Sequence, residues 1–247
     1  TLDLKNPKAK EVVHKLVAEA DVLVENFKPG TIERLGFGFD AMKAIKPDLV
    51  YASISGFGQT GPRANLPAFD GAIQAYSGMM SISGHAETGP VRSGYFSVDM
   101  STALNAAFAI TAALLRRANT GEGQRVDVSM LDTAIFMQSP QMTGYLVTGK
   151  APELNGNASP TKQPTSNVFA SSNGYVQVIA MKETQVQALF TELGMPERYA
   201  EFNEPTVRLA RRDEVHSLIA PIIAAETTEY WLETVSYTHL TLPTKLA

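Results

Sequence analysis

Few side chains in this sequence have the type and placement for chemistry, and Asp99 leads them. It opens the stretch "VDMSTALNAAFAITAALL", and no other charged residue follows before Arg116. Two readings compete. Asp is among the preferred residues at a helix N-cap, where its oxygen satisfies an orphan backbone N–H. A carboxylate facing the positive end of a long helix is also held ionised, the state an attacking nucleophile needs. Residue type alone favours the cap, and position does not separate the two.

Two other stretches have binding character. "SISGFGQTGP", residues 53–62, sets three glycines in a loop after a strand-like run, so backbone can approach a ligand closely. No helix follows it directly, which leaves a dinucleotide fingerprint weakly supported and an ordinary loop an equal reading. "VENFKPGTIERLG", residues 24–36, places Asn26 and Phe27 directly after a strand and Arg34 one short helix later. An aromatic to stack on a base and cations for phosphates suit a nucleotide-bearing ligand. Alone, a core Phe beside solvated charges explains the same residues.

The remaining candidates carry less. His14 and His216 fall in helical patterns among charged neighbours, His239 in the terminal stretch, and His85 in a polar loop. None has metal-ligand spacing, so no metal site is expected. Ser53, Ser55 and Ser77 lack evident His–Asp partners and GxSxG does not occur, which argues against a serine hydrolase. With no cysteine, disulfides, thiolate catalysis and Cys-type zinc sites are excluded, and a reducing cytoplasm is permitted.

The elements that must position these groups can be read from periodicity. The chain has 247 residues, 44% hydrophobic and 19% charged, enough for a sizeable core in one or two domains. A net charge of −4 and a pI near 5.6 give no basic field for nucleic acid or an anionic membrane. The apolar run Val98 to Leu115 falls short of the roughly 20 residues of a bilayer span and carries Asp99 and Asn105, so a buried core helix is expected. "TLDLK" reads as a strand end. "NPKAKEVVHKLVAEA" reads as a helix with Val12, Val13, Leu16 and Val17 on its apolar stripe. "DVLVENF", "DLVYASIS" and "RVDVSM" read as strands alternating with helical stretches, which predicts a parallel α/β sheet of the Rossmann type. "LDTAIFMQSPQMTGYLVTG" reads as mostly helical despite Pro140.

The texture changes near Ala151. The sequence predicts a large α/β domain over 1–148, a Pro- and Asn-rich linker over 149–165, and part of a smaller α+β domain over 166–235. In the last, a hairpin around "SSNG" precedes helices near 182–194, 212–225 and 227–235. The stretch 236–247, "SYTHLTLPTKLA", breaks a helical pattern without a cap and is set apart as a non-native tail.

Taken together, "TLDLKNP", "ADVLVENFKPG", "ERLGFGF", "PDLVYASISGFGQTGP", "QAYSG" and "TGEGQRVDVSMLD" resemble the class III CoA-transferases of the carnitine/formyl-CoA (CaiB/BaiF) type. The likeness runs from Thr1 to Val235, with motifs in the family's order and spacing. It implies that Asp99 is a nucleophile: its carboxylate attacks an acyl-CoA thioester to give a mixed anhydride, CoA returns to form an aspartyl-CoA thioester, and an acceptor carboxylate ends up carrying CoA. It further implies CoA contacts at Leu2, Lys5, Asn26, Phe27, Lys28, Arg34, Ala68, Phe69 and Asp70, with Lys5 and Arg34 at phosphates and Phe27 beside adenine. No tightly bound cofactor is implied, since the CoA thioester is a substrate. The partners implied are an acyl-CoA, a carboxylic acid and, for the full-length protein, a second copy in an interlocked cytoplasmic homodimer.

Some positions depart from the family's pattern. α-Methylacyl-CoA racemases place a histidine where this chain has Phe69, so a racemase lacks one of its two bases here. The "NASPTKQP" stretch stands where formyl-CoA transferases carry a glycine loop, Ala103 where glycine is common, and Pro67 where some members have lysine. Relative to the family, an N-terminal strand–loop–helix and a C-terminal return are lacking, so this stretch is expected to be poorly active alone and to expose apolar surface. A non-catalytic CoA-binding module, with Asp99 only a cap, is the alternative of a different class.

Overall fold

The computed structural model describes residues 1–236. Readings made of residues 237–247, among them His239 and nearly all of the terminal stretch set apart above, lie outside the described residues. The chain divides into two compact units: residues 1–83 with 90–153, and residues 84–89 with those from Leu154 onward.

The first unit opens without a strand. Thr1 to Asn6 form a turn in which Asp3 accepts N–H groups of Lys5 and Asn6, and no described strand runs beside them to make a ladder. Helix α1 (Pro7–Glu19) follows, started by Pro7 and by the Asn6 side chain accepting from Lys8 N–H. Its inward row is Ala9, Val13 and Val17, spaced four apart; Val12 and Leu16, expected on the same stripe, face outward, and Leu16 is 61% exposed.

Strands β1 (Val22–Glu25), β2 (Val50–Ser55) and β5 (Gln124–Ser129) form a parallel sheet in the order β1-β2-β5. The register pairs Val22 with Val50, Glu25 with Ser53, and Ser53 with Asp127. Central β2 is covered on both faces, as parallel strands require. Tyr51 packs with Leu23, Phe37 and Met42 beneath α1, α2 (Thr31–Arg34) and α3 (Phe39–Ile45). Val50 and Ala52 pack with Val126, Val128 and the small residues Ala106 and Ala113 of helix α5 (Ser97–Thr120). The α/β sheet read from the strand–helix alternation is the architecture observed.

Helix α5 runs antiparallel to the strands. Its end is tied to the strand starts by Arg117, which pairs with Asp21 at 2.8 Å and donates to the carbonyls of Asp21 and Asp48. A helix of 24 residues spans about 36 Å, whereas six strand residues span about 20 Å. Its first turns therefore project past the carboxyl edge of the sheet. Asp99 is on that overhang. The sequence suggested a buried helix, but only Ser97 and the row Val98, Thr102, Ala106 and Ala113 are buried. Small residues on that row let α5 approach the sheet closely, while Met100, Leu104, Phe108 and Leu115 face away, Phe108 being 75% exposed. By length and composition alone α5 is also long and apolar enough to cross a membrane, which the sequence reading had denied it.

The "TGEGQ" turn is set by two glycines with different duties. Gly121 adopts φ 74°, the left-handed conformation that ends α5. Gly123 lies against strand backbone: a Cβ there would sit 2.2 Å from Leu49 O and 2.4 Å from Asp48 C. Beyond β5, α6 (Met130–Met137) is capped by Ser129, which accepts from Asp132 N–H. Pro140 does not sit mid-helix but starts a second helix, α7 (Ser139–Thr148).

Helix α4 (Asp70–Tyr76), a short 3₁₀ turn (Met79–Ile82) and the two-residue strands β3 (Gly84–His85) and β4 (Gly89–Pro90) lie between β2 and α5. The second unit contains the predicted hairpin, β6 (Ser166–Ser171) with β7 (Gly174–Ile179), and helices α8 (Glu183–Glu192), α10 (Arg212–Ala225) and α11 (Thr228–Ser236). Phe169, Val178, Phe190, Val215, Ile219 and Trp231 are among its core. Helix α9 (Pro205–Ala210) was not anticipated. It buries Arg208, whose guanidinium pairs with both Glu183 oxygens and donates to Phe202 O.

Replacing Gly123 by Ala drives a methyl into backbone that cannot rotate away. Gly123→Ala should lower unfolding free energy by about 3 kcal/mol in urea titrations, whereas Gly144→Ala on α7, where a Cβ meets nothing within 4 Å, should not.

Candidate active site

Asp99 is the third residue of α5, inside the helix rather than at its cap. The N-cap residue is Phe96, which offers no side-chain acceptor. The exposed N–H groups are answered from another element: Asp70 Oδ2 accepts from Val98 N at 2.8 Å and from Asp99 N at 3.1 Å. Asp70 starts α4 and is 5% exposed, and its Oδ1 accepts from Gln74 Nε2 one turn on. Gln74 Oε1 accepts in turn from Ser93 N at 2.9 Å, on the segment leading into α5. The capping role that residue type suggested for Asp99 thus belongs to Asp70. Asp99's own carboxylate is free of it and stands exposed.

The electrostatics follow from the same geometry. Partial burial, and then the neighbouring Asp70 carboxylate, push the Asp99 carboxyl above its ordinary range. The sequence led us to expect the helix end to hold it ionised. Asp70 already answers that positive end, so Asp99 meets a like charge. A carboxylate whose ionisation is disfavoured is the more basic one, and a better attacking group once ionised.

The sheet's carboxyl edge gathers the other loops of this unit. Strand β1 ends in Glu25, whose Oε2 accepts Phe27 N–H, fixing the turn that carries Asn26, Phe27 and Lys28. Asn26 Nδ2 donates to Ile54 O at 2.7 Å, so its amide braces β1 to β2. Phe27 is exposed, not a core ring. Glu25 Oε1 and the hydroxyls of Ser53 and Ser55 are buried without a hydrogen-bond partner at this edge. The loop from Gly56 to Phe69 crosses the same edge. A Cβ on Gly56 would lie 2.1 Å from the Ala68 Cβ, so Ala68 is seated directly on the strand exit. Gln59 N–H bonds to Asp127 Oδ2 at 2.9 Å.

Leu2, Lys5, Lys28 and Arg34 are exposed, Arg34 bonding only Thr31 Oγ1 among the described residues. Phe69, at the N-cap of α4, is 78% exposed and immediately precedes Asp70. The structure thus brings Asp99, Asp70 and Phe69 to one corner, and Asn26, Phe27, Lys28 and Ala68 to the neighbouring strand exits. The groove between α6 and α7, lined by Asp132, Phe136, Met142 and Leu146, is separate and does not include Asp99. No cluster of metal-ligating side chains occurs among the described residues.

The sequence profile of CoA-transferase family III matches residues 1–242. The chain belongs to that family. It is 36% identical over 238 residues to the acetyl-CoA:oxalate CoA-transferase of Acetobacter aceti, covering 95% of this chain and 61% of that one. It is 34% identical to the succinate–glutarate CoA-transferase of Agrobacterium fabrum over 88% of this chain and 55% of the other. A CAIB/BAIF family protein from Brucella suis superposes with a TM-score of 0.88 at 32% identity, covering all of this chain and 66% of that structure. The chain thus spans little more than half the length of the curated relatives it matches.

Sequence reasoning assigned Asp70 to ligand contact and missed it as the residue capping α5. The Asp70–Gln74 spacing of four was visible, but nothing local says that a carboxylate will reach another helix 28 residues away.

Asp99's raised pKa has a stability consequence. Its favourable contribution is fully present below the ordinary carboxylate pKa and is lost as pH rises through the raised value. Asp99→Asn should therefore unfold at higher denaturant than the parent at neutral pH, and the gap should close on acidification below about pH 4. A gap that widened on acidification would contradict the shift.

Proposed function

We propose that this chain carries the catalytic half-site of an acyl-CoA:carboxylate CoA-transferase with Asp99 as nucleophile. The observation that supports this most is the division of labour between two adjacent carboxylates. Asp70 is consumed in holding the helix, while Asp99 is held still by its own backbone N–H and left with both oxygens unbonded among the described residues. Membership of a CoA-transferase family supplies the reaction class.

The chemistry runs in four balanced displacements. An Asp99 oxygen attacks the thioester carbonyl, the C–S bond breaks, and CoA leaves as thiolate from a mixed anhydride. The thiolate attacks the aspartyl carbonyl of that anhydride, releasing the donor as a free carboxylate and leaving aspartyl-CoA. An acceptor carboxylate then attacks aspartyl-CoA, expelling thiolate and forming a second anhydride. Thiolate attack at the acceptor's carbonyl gives the new acyl-CoA and restores Asp99. Splitting one exchange into covalent steps is the gain from nucleophilic catalysis, and each step trades one activated acyl bond for another.

CoA is placed along the carboxyl edge of the sheet, with Phe27 against adenine, Lys5 and Arg34 at phosphates, and Leu2, Asn26, Lys28, Ala68 and Phe69 lining its path. Asp70's oxygens are both engaged, so its share in this site is positional. The acceptor is proposed to be a dicarboxylate, since relatives are named for succinate, glutarate, oxalate and mesaconate. The outward apolar face of α5 supports a homodimer of the whole protein, placed in the cytoplasm. Phe69 offers no proton at the position where a racemase has its histidine.

The test is chemical trapping. Incubated with an acyl-CoA and hydroxylamine, the full-length protein should acquire a hydroxamate at Asp99, found by peptide mass spectrometry. Asp99→Ala should lose transfer by more than about a thousand-fold while retaining CoA binding. Undiminished transfer in Asp99→Ala would discard the assignment.

A further inference from the structure

One arginine beside this site has no partner among the described residues. The segment Val91–Phe96 leads into α5, and Arg92 on it is exposed. Its side chain lies over Gly71 in the first turn of α4: a Cβ on Gly71 would be 3.3 Å from Arg92 Nη1 and 3.9 Å from its Cδ. A side chain at Gly71 would crowd the guanidinium.

The next residue ties this cation to the nucleophile. Ser93 N donates to Gln74 Oε1, and Gln74 Nε2 holds Asp70 Oδ1, whose partner oxygen takes Asp99 N–H. Ser93 Oγ also lies 2.8 Å from Ser97 Oγ in the first turn of α5. The backbone under Arg92 and the backbone under Asp99 are therefore fixed by the same two side chains, Gln74 and Asp70.

Other arginines of this unit are occupied. Arg63 stacks on Tyr76, Arg116 pairs with Glu122, Arg117 with Asp21, and Arg125 bonds Gln59. Among the described residues, Arg92 is the arginine with no ion pair, hydrogen bond or ring contact. It presents five unused donors in a rigid planar fork, the geometry that takes a carboxylate two bonds at a time.

We propose that Arg92 holds the distal carboxylate of a dicarboxylic acyl group while the other end reacts at Asp99. This rests on the CoA-transfer reading above and adds its specificity determinant. With the Asp70 and Asp99 carboxylates already in this corner, a substrate bringing another needs a local cation to offset the repulsion. The phosphates of CoA are assigned to Lys5 and Arg34, on the chain start and after β1, whereas Arg92 is on the segment entering α5. A carboxylate of the acyl chain is thus the anion that reaches it. Arg92 selects among acids, and Asp99 transforms them.

The experiment has a binding arm and a turnover arm. Glutarate and butyrate are titrated into the nitrogen-15-labelled chain, and the side-chain Nε–H of Arg92 is followed by NMR. Glutarate should shift that resonance and butyrate should not; Arg92→Gln should weaken glutarate binding roughly ten-fold, with partial recovery in Arg92→Lys, which keeps the charge but loses the fork. In turnover, Arg92→Gln should lower the glutarate-to-butyrate ratio of kcat/KM roughly ten-fold through KM, while Arg116→Gln, at the far end of α5, should leave that ratio alone. Equal binding of glutarate by parent and Arg92→Gln overturns the proposal, as does a rise in the KM of the CoA thioester that is the same with either acid, which would make Arg92 a phosphate contact. The nucleophile fails separately: Asp99→Asn should lose transfer and keep the glutarate response at Arg92.

Discussion

A single buried carboxylate holds the active corner together. Asp70 reaches from the start of one helix to the start of another and accepts two of its N–H groups, while the N-cap residue Phe96 offers no acceptor. Unsatisfied, those donors would leave the positive end of a 24-residue helix without an acceptor. Because Asp70 supplies the cap, the residue at the third helical position needs no structural duty. Everything proposed for Asp99 depends on that release.

The arrangement has an internal cost. Two carboxylates are placed side by side where one suffices for stability, and the second is pushed away from its ionised form by burial and by the first. Such groups concentrate at functional sites because evolution retains them there against folding stability. The length of α5 serves the same end. Anchored by Arg117 at the strand starts, it carries its first turns, and Asp99 with them, past the sheet. Small residues on its inner row fix its approach to β2 and β5, and the large ones on its outer row, Met100, Leu104, Phe108 and Leu115, are exposed.

Much of the frame was legible in the residues. Continuous apolar runs at "DVLVENF" and "DLVYASIS" announce parallel strands, and "TGEGQ" announces a helix end, because those signals are local; burial holds for β2 but not for β1, where Val24 is exposed. The hairpin at "SSNG" is local too. What was not legible is long-range. No propensity indicates that Asp70 caps a helix in place of Asp99, that Arg208 will be buried against Glu183, or that Val12 and Leu16 lie off the packed row of α1. Burial of α5 was over-read, since composition reports how apolar a helix is and not how many of its sides are covered. Arg92 drew no attention as a residue between Val and Ser; its unpaired state appears only once neighbours are placed.

The central claim is that an Asp99 oxygen becomes bonded to the acyl carbon during transfer, and isotope exchange tests it most directly. The full-length enzyme would be supplied with acyl-CoA and an acceptor acid labelled with oxygen-18 in its carboxylate, and the peptide containing Asp99 weighed after turnover. The mechanism requires each acceptor to hand one labelled oxygen to the Asp99 carboxylate as it is converted, so that after a turnover at least one of the two Asp99 oxygens carries label. Full conversion of the acceptor with Asp99 still carrying only ordinary oxygen would contradict the account.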